Sequence, residues 1–350
     1  MISRNVLPVI PILLFLMLFV VCATPPLPQA GYKVVQKTTL GGDGGWDYLL
    51  VDPQTQRVFI SRSTHVMVVD ANSGRILGDI PNTSGVHGIA LVPELNKGFT
   101  SNGRDNSVSV FDLKTLLVSK QIPVGKNPDA ILYDPASKLV FTANGGSHDL
   151  SAIDPKTETV KGTIPLDGRP EAGVSDEKGH VYFNLEDKSM VAEIDPKKLT
   201  VEAKWPLNPG EEPTGLAMDR KNRRLFSGCA NKLMVVMDAD NGHVITTLPI
   251  GSGVDGTEFD PSSKLAFSAN GEGTLTVVRE DASDKFSVVE NVPTQRGART
   301  LSLDPKTHRI YLSTAEFGPA PAPTAERPRP RPPMIPGTFT LLVVGKEKAG

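Results

Sequence analysis

One turn recurs along this chain at a nearly constant interval, and that period restricts the fold more than any other feature. Asp52-Pro53, Asp134-Pro135, Asp260-Pro261 and Asp304-Pro305 each follow a short apolar run and precede a basic residue. Val92-Pro93, Asp176-Glu177 and Asp219-Arg220 stand in the intervening places, so successive turns are 40, 42, 42, 43, 41 and 44 residues apart. A unit of this length cannot shield its apolar faces alone, whereas copies packed on one another round an axis can. The third copy shows the contents of one period: runs at 130–133, 139–144, a third ending at Ile153-Asp154, and a fourth at 160–165. They are short, rich in Val, Ile, Leu, Phe and Thr, and bounded by Asp, Asn, Gly and Pro, which is the pattern of strands and hairpin turns.

The period therefore predicts an all-β fold: a seven-bladed β-propeller of four-stranded antiparallel blades. Inner strands are expected to begin near Tyr48, Gly88, Ala130, Ala172, Gly215, Gly256 and Thr300. Six of these positions other than Tyr48 hold small or short residues, as converging sheets near an axis require. The last copy lacks a fourth run after 339–344, and 32–40 has no blade of its own, so the N-terminal strand is expected to close the last blade. Pairing the two ends of the chain removes open sheet edges. Asp70, Asp112, Asp154, Asp195 and Asp238 end the third strands and are read as turn formers, because Asp accepts hydrogen bonds from backbone amides just beyond it.

Residues 1–23 read as a signal peptide, with Arg4 ahead of an apolar run at 6–21 and a cleavage position before Thr24. Residues 24–31 form a linker, and 32–350 the propeller. The expected location is exported, periplasmic or extracellular, with membrane contact only through an uncleaved N-terminus or one lipidated at Cys22. The other cysteine, Cys229, then has no partner and is expected to be a small buried strand-end residue. The net charge of −2 gives no electrostatic case for a nucleic-acid or anionic-membrane partner. A monomer is expected.

The loops that enter the inner strands and those joining second to third strands emerge on one face. There the residues just before the inner strands are Asp47, His87, Asp129, Glu171, Thr214, Asp255 and Arg299, with Trp46 where other copies carry Pro128, Pro170 or Pro213. Non-equivalent polar groups round one channel mouth suit a small-molecule or protein partner, and equally a solvated lining. No cofactor is predicted outright, but the four carboxylates with His87 offer oxygen and nitrogen donors for a hard divalent metal. Alternatively His87 serves as acid or base beside Glu171, with Arg299 holding an anionic oxygen. Asn102, Asn144, Asn184 and Asn270, at the ends of second strands, are expected to hold neighbouring loops. A proline-rich insertion at 314–337, including Arg327-Pro328-Arg329-Pro330-Arg331, interrupts the last blade and favours extended polyproline conformation.

Several apparent motifs fail their context. Gly251-Ser252-Gly253-Val254-Asp255-Gly256 leads into a strand, so it is not a dinucleotide loop. The glycine-rich run 41–45 lacks the Lys-Ser and helix of a phosphate loop, and the stretch from Asp238 to Gly242 lacks the late Glu of a calcium loop. CxxCH, HExxH and GxSxG patterns are absent from the sequence.

Phe99-Thr100-Ser101-Asn102, Phe141-Thr142-Ala143-Asn144 and Phe267-Ser268-Ala269-Asn270 resemble the Tyr-Val-Thr-Asn signature of YVTN-repeat, YncE-like propellers. The resemblance spans the mature chain and departs at Ile60-Ser61-Arg62-Ser63 and Phe183-Asn184-Leu185-Glu186, while the repeats do not each carry the Gly-His and Trp-Asp pair of WD40. It implies an exported bacterial propeller with a binding role. It also resembles propellers that scaffold heme, quinone-enzyme or lactonase chemistry. The leading expectation is a ligand- or protein-binding module acting through the channel mouth. The alternatives are a lactonase-like or oxidoreductase-like enzyme and, on the family resemblance alone, single-stranded DNA binding.

Overall fold

The computed structural model describes residues 1–2, 31–42, 44–322, 324 and 332–346. Seven four-stranded antiparallel sheets follow one another in chain order, and the only helices among these residues are two short 3-10 turns. The innermost strands of blades 1 to 7 are Leu49–Asp52, Val86–Val92, Pro128–Asp134, Pro170–Ser175, Pro213–Asp219, Val254–Asp260 and Leu301–Asp304. The expected closure is present: Tyr32–Thr39 pairs antiparallel with Thr340–Lys346 as the outer strand of blade 7. Most of the expected signal peptide and linker lies outside the described residues, as does the basic string of the insertion.

Burial follows radius. Leu139–Asn144, a second strand, is buried along almost its whole length, because neighbouring blades cover both of its faces. Thr159–Pro165, an outer strand of the same blade, is mostly exposed. Apolar clusters lie between adjacent blades, such as the one uniting Phe141 and Leu150 of blade 3 with Phe183 and Ala192 of blade 4. Close approach of inner strands explains the small residues. A Cβ on Gly215 would come within 2.6 Å of the Thr257 backbone nitrogen, and one on Gly256 within 2.6 Å of the Leu301 side chain.

The turn motif proves to be a clasp on the lower face. Its Asp accepts the amide two residues on, as in Asp52 from Gln54 and Asp304 from Lys306, both 2.9 Å. Blade-to-blade bonds start from the same carboxylates: Ser175 donates to Asp134, His308 pairs with Asp260, and Gln56 of blade 1 donates to Asp304 of blade 7. The third-strand aspartates are turn formers too, Asp112 accepting from Lys114 and Thr115 and Asp195 from Lys197 and Lys198.

The Phe-Thr-x-Asn segments acquire a physical role. Asn102 is fully buried, its Oδ1 accepting from Thr100 while its Nδ2 donates to Ser107 and Ser109 of the third strand. Asn270 repeats this with Ser268, Thr274 and Thr276. Asn144 grips Asp149 and Ser151, and Asn184 instead reaches the carbonyls of Thr214 and Gly215 in the next blade. All four are structural, holding neighbouring segments as expected.

Candidate functional site

The hairpins joining second to third strands do share a face with the entries to the inner strands. Gly103, Gly145, Glu186 and Gly271 donate amides to Gly85, Asn127, Arg169 and Gly253, the loop residues of their own blades. One detail of the expectation is corrected. His87, Asp129, Glu171, Thr214 and Asp255 are the second residues of their strands rather than the residues before them. In each of these five blades the register shifts directly around that position, as between Pro128 and Ile131. A bulge re-aims a side chain that regular pairing would commit to one sheet face. Asp47 and Arg299 lie in the entry loops, where the Asp47 amide is held by Ser61 Oγ at 3.0 Å and its carbonyl by Thr300 Oγ1 at 2.8 Å.

The structure brings part of the ring together. His87 Nδ1 is 2.6 Å from Asp47 Oδ2 and 3.7 Å from Asp129 Oδ1. Donor atoms of these three residues, from blades 1, 2 and 3, all lie within 4.8 Å of one another. Arg299 Nε approaches Asp255 Oδ2 at 2.7 Å and its Nη2 approaches Asp47 Oδ1 at 3.8 Å. The Nε–H is not aimed at an acceptor, so the Asp255 contact is an ion pair rather than an aligned hydrogen bond. Asp47, His87, Arg299 and Trp46 line a cavity of 440 Å³ completed by Arg104 and Asn127. Glu171 stands apart, 3.9 Å from Arg169 Nε, whose Nη2 pairs with Glu186. Thr214 donates its hydroxyl to Val254 O at 2.9 Å, which clasps blade 5 to blade 6.

Trp46 packs between Phe317 and Phe339, with ring centroids 6.0 and 5.5 Å away. It divides the mouth from a depression of 510 Å³ lined by Phe317, Met334, Arg296 and Arg299. The base of the insertion is anchored here by a bridge between Phe317 and Met334.

Tyr48 went unrecognised as part of the site, although it is the one large residue in a position otherwise small. From blade 1 it packs on the apolar cluster of blades 3 and 4, so its ring crosses the axis. Below the mouth it shares a narrow channel of 190 Å³ with Ala130, Ala172, Gly215 and Glu258. Burial, then the charges of Asp129, Glu171, Asp255 and Asp47, push its phenol well above the ordinary range. Arg169 and Arg104 were also missed, since neither occupies a repeating ring position.

The carboxylates outnumber the cations that neutralise them. Burial pushes Asp129 up to about 7 and Glu171 to about 8, with neighbouring carboxylates adding to the effect. Burial alone would lower His87. The hydrogen bond that its Nδ1–H donates to Asp47 and the charges of Asp129, Asp47 and Glu171 outweigh it and raise the imidazole to about 9. His87 thus retains its proton at neutral pH, which suits a donor and not a base. The ring is a buried set of oxygen and nitrogen donors that holds its protons unusually tightly.

No family model matches the chain, and no curated protein matches it. Solved structures do. Hydrazine synthase of Kuenenia stuttgartiensis aligns with 79% of this chain and 94% of its own at 18% identity and a TM-score of 0.68. The RRP9 WD40 repeats align over 92% and 99% at 9% identity and a TM-score of 0.73. U3-55K aligns over 90% and 99% at 9% identity and a TM-score of 0.72. At these identities the likeness is one of fold, and it holds although the repeats do not each carry a Gly-His and Trp-Asp pair. The chain is a seven-bladed β-propeller closed by its own N-terminal strand.

Proposed function

We propose that this chain is an exported YVTN-repeat, YncE-like binding propeller whose channel mouth takes a divalent cation and, around it, a small ligand or protein group. The observation that carries the reading is the convergence of Asp47, His87 and Asp129 from three consecutive blades, with donor atoms within 4.8 Å. Two carboxylate oxygens and an imidazole nitrogen form a mixed set suited to Mn²⁺, and Mg²⁺, Ca²⁺ and Zn²⁺ share parts of that preference. Neighbouring carboxylates and burial leave Asp129 poorly neutralised, and a bound cation supplies the missing charge. The 2.6 Å contact between His87 and Asp47 then opens by roughly 0.5 Å, because ligands about 2.1 Å from one ion stand about 3 Å apart. The apolar run at 6–21 and the Phe-Thr-x-Asn segments support export and the family assignment.

Calorimetric titration of chelator-treated protein with Mn²⁺, Mg²⁺, Ca²⁺ and Zn²⁺ tests the site. One of them is expected to bind with release of at least one proton, seen as buffer-dependent heat, because His87 must lose its proton to coordinate through Nδ1. Asp129→Ala is expected to remove that event. Absence of a saturable isotherm for all four ions, or an isotherm that survives Asp129→Ala unchanged, overturns the reading.

A further inference from the structure

The seven blades provide an internal control that singles out blade 4. In every blade the pairing of third and outer strands contains a bulge at the same place, and blade 6 has a second one farther along. The third-strand residue just before the shift is Val68, Val110, Ala152, Val236, Val277 or Val343 in the other six blades, all of them buried. In blade 4 it is Glu193, whose side chain is only 14% exposed. The extra residue of the bulge is Glu202, and no other blade has an acidic residue there. Replacing an apolar position by a largely buried carboxylate, beside a second one, costs stability unless something compensates it.

His180, on the adjacent second strand side, completes the group. Its Nε2 is 3.4 Å from Glu202 Oε2 and 3.9 Å from Glu193 Oε1, and the three donor atoms lie within 4.8 Å of one another. Its other nitrogen faces Asp176 at 3.4 Å. Asp176 is fixed by the amides of Lys178, Gly179 and His180 and by Arg223. Tyr182 donates to Glu193 at 3.3 Å and to Ala239 O at 3.1 Å, and Lys198 reaches Glu202 at 3.0 Å. A tetrahedral ion with ligands at about 2.1 Å places them about 3.4 Å apart, close to the separations seen. An imidazole that presents one nitrogen to carboxylates and the other to a buried Asp has the outer support typical of metal-bound histidines.

We propose that His180 Nε2, Glu193 and Glu202 form a second divalent-metal site, of Zn²⁺ type, on the flank of blade 4, with Asp176 orienting the imidazole. This site is independent of the channel mouth, and its ligands are contributed by one blade rather than three.

Tryptophan fluorescence tests it. The chain has two tryptophans, and Trp205 stacks on Tyr182 beside His180. In a Trp46→Phe variant all tryptophan emission comes from Trp205, and Co²⁺, a paramagnetic stand-in for Zn²⁺, is expected to quench it saturably as the blade 4 site fills. Zn²⁺ is expected to displace Co²⁺ and restore the emission. Glu193→Val and His180→Arg install residues that other blades carry at these positions, such as Val68 and Arg57, so each variant should fold, and each should abolish the saturable quenching. Asp176→Asn should weaken it about 10–100-fold, while Asp129→Ala should leave it intact. Quenching absent from the Trp46→Phe protein, or unchanged by Glu193→Val, overturns the proposal.

Discussion

Arg62 stands where the repeat places the signature Asn, since Phe59 pairs with Val68 as Phe99 does with Val110 and Phe141 with Ala152, and it is fully buried. Its guanidinium donates to the carbonyls of Gly41, Gly42, Gly44 and Gly45 at 3.0 to 3.3 Å and lies 3.6 Å over the Phe339 ring. The degenerate signature of blade 1 is thus a latch. It shapes the glycine-rich run that leads from the closing strand to Trp46 and Asp47. Arg62→Met keeps the volume but strips the donors from buried carbonyls, so a loss of about 3 kcal/mol is expected from urea denaturation. A change within about 0.5 kcal/mol would show that water replaces the guanidinium. Cys229 behaves as its apolar setting dictates: it is buried, and burial raises its thiol to about 12. Native protein is therefore expected to resist a thiol reagent that modifies Cys229 promptly once urea unfolds the chain. Prompt modification under native conditions would contradict the burial.

At the level of elements, the bulge does what regular strands cannot. A strand side chain alternates between faces that are both covered by neighbouring blades, so a regular inner strand would bury its polar residue between sheets. The shift near the start of five inner strands turns those residues toward the axis instead. The closing strand is the second decisive element. Tyr32–Thr39 covers Thr340–Lys346, and Tyr32 packs edge-on against Phe267 of blade 6 at 5.3 Å. A variant lacking residues 31–39 exposes the edge of a buried strand. It is expected to elute from size-exclusion chromatography as aggregate and to lose the single cooperative melt of the intact chain. A monomer with an unchanged melting temperature would mean that the ring closes without it.

Across the whole molecule, the mouth couples stability to pH. Asp129, Glu171 and His87 all have folded-state values above their ordinary ones, at about 7, about 8 and about 9. The folded protein therefore binds more protons than the unfolded chain, and stability falls as pH rises. The carboxylate contribution is complete below about pH 4 and the histidine contribution below about 6.5, and both are lost as pH climbs to about 9. Calorimetry with chelator present is expected to show the melting temperature falling from about pH 4 to about pH 9. In an Asp129→Asn, His87→Gln variant the fall should be shallower, and an equal slope would place the proton uptake elsewhere. The repeat spacing, the turn aspartates and the missing fourth strand made architecture and closure legible in the chain itself, because a period of about 42 residues with four short runs forces small sheets to stack. The same reading named the ring residues but not which of them meet. It treated Glu171 and Thr214 as equals of His87, overlooked Tyr48, and had no means of seeing Glu193 beside Glu202. Local pattern dictates strands and turns, since those depend on neighbours along the chain. Which side chains converge was decided only by bulges, by the approach of seven strands to one axis and by packing between blades, all of which join residues distant in sequence.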